Sequence, residues 1–161
     1  MANPELKEGA PAPDFSLAST NGETISLSDF KGKRAVVLYF YPKDSTPGCT
    51  VEACSFRDNL AAVQGHGAAV LGVSPDSVKS HASFTQKQNL NFPLLADTER
   101  QLAQAYGVWV EKSMYGKRFM GVQRATFVID PEGTVAHVIP KVSPKKHDDE
   151  VLAALGELAA A

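Results

Sequence analysis

The run RAVVLYFY, from Arg34 to Tyr41, constrains this chain more than any other stretch. Seven of its eight residues are apolar or aromatic, with no polar alternation. That pattern suits a strand buried on both faces, and such strands sit in the middle of sheets covered by helices. The residues just after the run are as informative. Thr46 can cap a helix through its hydroxyl, and Pro47 suits the first helical position, where a missing N–H costs nothing. The spacing therefore predicts a buried strand that turns directly into a helix.

The rest of the chain fits around that unit. FSLAST and ETISL read as a short hairpin about Asn21-Gly22. GAAVLGVSPD gives a second buried strand ending near Ser74. SVKSHASFTQKQNL is a helical window capped by Asp76 or Ser77. TERQLAQAYG is another, with Asp97 before it and Gly107 at its C-terminal end. RATFVID and TVAHVIPKV form a second hairpin across Pro131–Gly133. HDDEVLAALGELAAA reads as a closing helix, and Pro144–Lys146 as a solvated turn before it. A strand, helix and strand in succession call for a parallel crossover. The expected class is α/β, a mixed central sheet with helices on both faces, folded as one domain over 1–161.

The sequence also excludes classes of function. A net charge of −2 gives no basic footprint for nucleic acid. No apolar run approaches the roughly 20 residues that span a bilayer. The opening residues lack the apolar core of a secretory signal, so a cytoplasmic protein is expected. In a reducing compartment, two cysteines are seldom a structural staple; catalysis or metal binding is the commoner use.

Both cysteines, Cys49 and Cys54, lie in YPKDSTPGCTVEAC. With Pro47 as the first helical residue, Cys49 is the third. There the backbone N–H groups are unpaired and the helix end carries about half a positive charge, which favours a thiolate. Cys49, Ala53, Phe56, Leu60 and Val63 recur at steps of four and three, so Cys49 lies on the apolar face. Cys54 points elsewhere around the cylinder. Ideal helix geometry separates the two Cα atoms by about 8.6 Å, beyond the ~7 Å limit for a disulfide. Pairing would therefore require the helix to unwind locally. Other readings compete at this level. Either cysteine can serve as a small core hydrophobe. Structural zinc needs four clustered ligands, and His66, His81, His137 and His147 are scattered. The Cys-x-x-Cys of a thioredoxin-like dithiol is absent. Trp109, Phe84, Phe119 and Met120 read as core, or as an apolar collar near the thiol.

The stretch resembles the active-site segment of the peroxiredoxins, Pro-x-x-x-Thr/Ser-x-x-Cys, met by Pro42, Thr46 and Cys49. A second cysteine five residues on is similar to the bacterioferritin-comigratory-protein, or PrxQ, branch. GAPAPDFSL, NFPLLADTERQLAQAYGVW and GVQRATFVID extend the likeness over nearly the whole chain. The resemblance implies a thioredoxin fold with an added N-terminal hairpin. It implies that Cys49 is the peroxidatic cysteine and Cys54 the resolving one, joined in a redox disulfide. It assigns Thr46 to hydrogen bonds with thiolate and peroxide, Pro42 to shielding the site, and Arg124 to a place beside the sulfur. Glu52 falls where the branch carries Glu or Gln, close to that arginine. The implied activity is reduction of hydrogen peroxide and organic hydroperoxides in antioxidant defence. Thioredoxin is the implied reductant, with glutaredoxin the alternative. No metal, haem or flavin is implied, and the branch often works as a monomer. Two rival readings are a protein thiol–disulfide oxidoreductase and a non-enzymatic redox sensor.

Overall fold

The expected buried strand is β3 (Ala35–Phe40), and every one of its residues is buried. It appears in a computed structural model that describes residues 6–20, 22–140 and 151–156. Its neighbours explain its composition. On one side β3 pairs in parallel with β4 (Ala68–Ser74), as a crossover requires. On the other it pairs antiparallel with β8 (Ala125–Ile129). With β5 (Leu94–Ala96) and β9 (Val135–Pro140), the central sheet runs in the order β5-β4-β3-β8-β9. Successive strand residues face opposite sides, so β3 feeds two cores. Val37, Tyr39 and Tyr41 pack with α1 (Pro47–Gly65), with Phe84 of α2 (Val78–Gln88), and with Val151 and Leu155 of the helical segment 151–156. Val36, Leu38 and Phe40 pack on the other face with Leu102 and Ala103 of α3 (Gln101–Ala105) and with Phe15 and Leu27.

The N-terminal hairpin forms as expected, from β1 (Ser16–Ala18) and β2 (Thr24–Ser26). Gly22 holds φ at 81°, the left-handed conformation that a tight turn needs; Asn21 lies outside the described residues. Ser77, not Asp76, caps α2, its hydroxyl accepting from the Ser80 N–H. The expected turn at 144–146 and the outer parts of the closing helix, His147 included, also lie outside the described residues.

The structure departs from three local expectations. The window from Thr98 to Gly107 is helical only over Gln101–Ala105, because Arg100 adopts φ of 58°. Asp97 explains the turn, since its carboxylate accepts from the N–H groups of Leu102 and Ala103 and is engaged in capping. Gly107, at φ of 73°, then ends the helix. A hairpin with no clear signal in the sequence comes next: β6 (Trp109–Met114) with β7 (Lys117–Val122), turning at Tyr115 and Gly116, both at positive φ. The turn is Tyr-Gly where Asn-Gly or Asp-Gly is the usual signal. Phe119 and Met120 are 44% and 48% exposed on this hairpin and are not core. Phe84 is core, and Trp109 is half-buried beneath the Arg100 guanidinium. The short β5 is also unannounced; only three residues long, it offers no period to read.

Tyr39 illustrates how tightly the helical side is filled. Its ring stacks on Phe56 of α1 at 4.7 Å between centroids. It also covers Gly72 of β4, where an added Cβ would meet Tyr39 and Leu94 side-chain atoms at 2.7 to 2.9 Å. Gly72→Ala should therefore destabilise the protein by about 1–3 kcal/mol through overpacking. Chemical denaturation checks this, and a midpoint equal to wild type would show that the ring yields freely.

Candidate functional site

Three features of the fold converge at one end of the sheet. The β3 strand ends there and passes through Tyr41 and Pro42 into the first turn of α1. Because β8 runs antiparallel to β3, with Ala125 opposite Phe40, its start lies at the same end. Arg124 immediately precedes that start. Strand pairing thus brings residue 124 beside residue 49 across 75 positions of sequence.

Cys49 is the third residue of α1 and is 1% exposed, packed at the top of the helical-side core. Ala53, Phe56, Leu60 and Val63 line the same buried face, as their spacing predicts. One nitrogen of the Arg124 guanidinium, Nη2, donates to Cys49 Sγ at 3.2 Å. The other, Nη1, donates to Glu52 Oε1 at 2.7 Å. Planar and permanently charged, the guanidinium spans both groups with its donor fork. Glu52 sits one turn from Cys49 and is fully buried.

The electrostatics follow from burial. Desolvation pushes the Glu52 carboxyl up to about 7, with Arg124 opposing. Burial by itself would lower Arg124, but Glu52 and Cys49 outweigh it and hold the guanidinium above its usual range. A third charged group belongs here that no motif in the chain singles out. Lys112, on β6, is half-buried, and its pKa is lowered by burial and by Arg124, against the pull of Cys49. Only the β6–β7 hairpin brings it close.

Thr46 and Pro42 take different places. Thr46 precedes the first helical residue with extended backbone, yet its side chain caps no amide. Its hydroxyl donates instead to the Lys43 carbonyl at 3.0 Å, which corrects the expectation of a hydroxyl cap. The helix-starting geometry comes from the backbone, through Thr50 N–H to Thr46 C=O at 2.8 Å, and from Pro47. Pro42 is half-buried in the loop between β3 and α1. Cys54 is half-buried on another side of α1, where its thiol donates to Gln88 Oε1 at 3.5 Å. Both cysteines are free, and the helix runs unbroken through them.

A buried polar network beside the site has no counterpart among the sequence expectations. Tyr41, Asp44 and His81 are all buried and joined by hydrogen bonds. His81 sits on the inward face of α2 with Phe84, three residues on. That spacing is a signal of burial, but it says nothing of a partner 37 positions away.

The AhpC/TSA family profile matches residues 9–138. The chain is 49% identical to peroxiredoxin Bcp of Bacillus subtilis over 153 residues, 95% of this chain and 97% of the relative. Among solved structures, peroxiredoxin Q of Xanthomonas campestris superposes with a TM-score of 0.88 at 44% identity, covering 97% of this chain and 98% of that one. A structure of the Xanthomonas campestris bacterioferritin comigratory protein, described for alkyl peroxide reduction, matches with a TM-score of 0.88 at 43% identity over 97% and 99% of the two chains. The central sheet, its helices and the added hairpin thus form the thioredoxin fold expected from the sequence.

The raised Glu52 pKa has a consequence for stability. Between about 4.5 and 7 the folded state holds a proton that the unfolded state has lost, so stability from this group falls as pH rises through that window. Glu52→Gln removes the titration. The stability of the variant relative to wild type should climb from pH 4.5 to 7 and level off above. A pH series of denaturation curves checks this, and a constant difference would place the Glu52 carboxyl at its ordinary pKa.

Proposed function

Because the chain belongs to the AhpC/TSA family, in its Bcp/PrxQ branch, and is a thiol-dependent peroxidase, we propose that Cys49 is its peroxidatic cysteine and Cys54 its resolving cysteine. The observation that carries this reading is the Arg124 hydrogen bond to Cys49 Sγ in the first turn of α1. The thiolate attacks one oxygen of a hydroperoxide; an S–O bond forms and the O–O bond breaks. The leaving oxygen departs with the electron pair and takes a proton, giving water or an alcohol. Negative charge grows on that oxygen in the transition state, and donors fixed beforehand lower the barrier. Arg124 is such a donor, oriented by Glu52. Thr46 contributes a hydroxyl that can turn from the Lys43 carbonyl toward sulfur or peroxide. Pro42 limits water at the sulfur.

Cys49 is then a sulfenic acid, which a thiol can capture. Cys54 attacks its sulfur and releases water, forming an intramolecular disulfide. The intact helix keeps the two sulfurs apart, so α1 must unwind between them. A dithiol protein, thioredoxin in the first instance and glutaredoxin as the alternative, then restores both thiols by exchange. The substrates are hydrogen peroxide and organic hydroperoxides, the latter in keeping with the alkyl peroxide activity ascribed to the Xanthomonas campestris relative. The protein acts as a single-domain, cytoplasmic monomer in antioxidant defence. No helix among the described residues is long and apolar enough to cross a membrane.

A coupled assay with thioredoxin, thioredoxin reductase and NADPH tests the scheme. Wild type should consume hydroperoxide catalytically. Cys49→Ser should abolish turnover. Cys54→Ser should allow the first oxidation, block recycling and leave Cys49 open to over-oxidation. Arg124→Ala should slow peroxide attack by about 100- to 1,000-fold if it acts as an oxyanion donor. Normal peroxide kinetics in Arg124→Ala would remove Arg124 from the mechanism. Reduction of protein disulfides without peroxide turnover would favour the oxidoreductase reading, and a single oxidation without turnover the sensor.

A further inference from the structure

Two sets of hydrogen bonds that the chemistry above does not use meet on one element, α2. At its first turn, His81 Nδ1 lies 2.7 Å from Asp44 Oδ2, and Ser80 Oγ donates to the same oxygen at 2.8 Å. Asp44 belongs to the loop between β3 and α1, and Tyr41 donates to its Oδ1 at 2.6 Å. His81 Nε2 faces the Leu95 carbonyl at 2.9 Å. A carbonyl only accepts, so Nε2 is the donor in that bond. The Asp44 backbone N–H is held as well, by Asp76 Oδ2 at 2.8 Å. This short loop is therefore gripped by side chain and main chain alike.

At the other end of α2, Arg57 Nη1 donates to the Gln88 carbonyl at 2.6 Å. Asn91 Nδ2, just beyond the helix, donates to the Arg57 carbonyl at 3.2 Å. The Gln88 side chain takes the Cys54 thiol. The helix spans 11 residues, about 16 Å at 1.5 Å per residue. His81 and Phe84 seat it firmly, both being wholly buried. One rigid strut thus grips the chain on both sides of the segment from Cys49 to Cys54.

We infer that α2 brackets the segment that must unwind, with His81 and Arg57 as positioning residues of opposite effect. The His81–Asp44 clamp holds the loop that sets the start of α1, and so places Cys49 for attack. The Arg57–Gln88 clasp, with the Gln88 contact to Cys54, holds α1 wound past Cys54 and retards its approach to Cys49. The Asp44 loop stays tied to α2 while the Arg57–Gln88 clasp yields, so unwinding stays local to the segment between them. This inference rests on the reading of Cys54 as the resolving cysteine.

Rapid-mixing kinetics on the full chain, with mass mapping of quenched samples, resolve oxidation of Cys49 from formation of the disulfide. Arg57→Met should speed disulfide formation about fivefold, the worth of one ordinary hydrogen bond, and leave oxidation unchanged; Arg57→Lys should restore part of the clasp. His81→Asn should slow oxidation about fivefold or more by the same reasoning and leave disulfide formation unchanged. A general loosening of the fold would move both steps together in both variants, and that result overturns the bracket, as do unchanged rates. Should His81→Asn not fold, hydrogen exchange on the wild type decides. The oxidised protein should lose protection between residues 50 and 56 while the Asp44 amide and the amides beyond Leu60 keep theirs. Loss reaching Asp44 or passing Leu60 overturns the inference. A wild type that forms no Cys49–Cys54 disulfide overturns the functional reading itself, whereas a normal disulfide with unaltered variants overturns only the bracket.

Discussion

A single guanidinium holds the site together. Arg124 reaches a sulfur with one nitrogen and a buried carboxylate with the other. Glu52 anchors one nitrogen of the fork at 2.7 Å while the other faces Cys49. Burial of Glu52 carries a desolvation penalty, visible as a carboxyl raised to about 7. Arg124 offsets part of it. The result is a cation held between the Cys49 sulfur and a buried carboxylate.

That cation is available only because of strand order. Were β8 to run parallel to β3, its first residue would lie at the opposite end of the sheet from the α1 N-terminus. The antiparallel pairing of Phe40 with Ala125 puts Arg124 where the helix begins. The same end of the sheet receives Lys112 from the β6–β7 hairpin and, from α2, the groups that grip Asp44. Three separate connections thus converge on one turn of helix. The thiol is buried and constrained in a resting state that is also continuous helix, and the second thiol on the same helix is kept out of reach by geometry.

Sequence and structure agree where local chemistry decides the outcome. The buried strand, the Pro47 helix start, the inward face from Cys49 to Val63 and the Gly107 stop each depend on near neighbours along the chain. They part where other groups compete for the same hydrogen bonds or the same surface. Asp97 engages the amides of Leu102 and Ala103, and the helix starts late. Thr46 has the residue type of a hydroxyl cap, yet the Lys43 carbonyl claims its hydrogen. Phe119 and Met120 have the size and apolarity of core residues; a hairpin with an unusual Tyr-Gly turn carries them to the surface.

The amino-acid order alone determined which sulfur sits at a helix tip, which face it takes, and that the second sulfur, five residues on, cannot bond to it within a wound helix. These follow from the period and rise of one helix and need no other part of the chain. Tertiary structure alone decided which cation meets that sulfur, which carboxylate steadies the cation, and that His81 and Gln88 tie down the flanks. Contacts across 31 to 75 positions arise from strand pairing and helix packing, and no spacing along the chain encodes them.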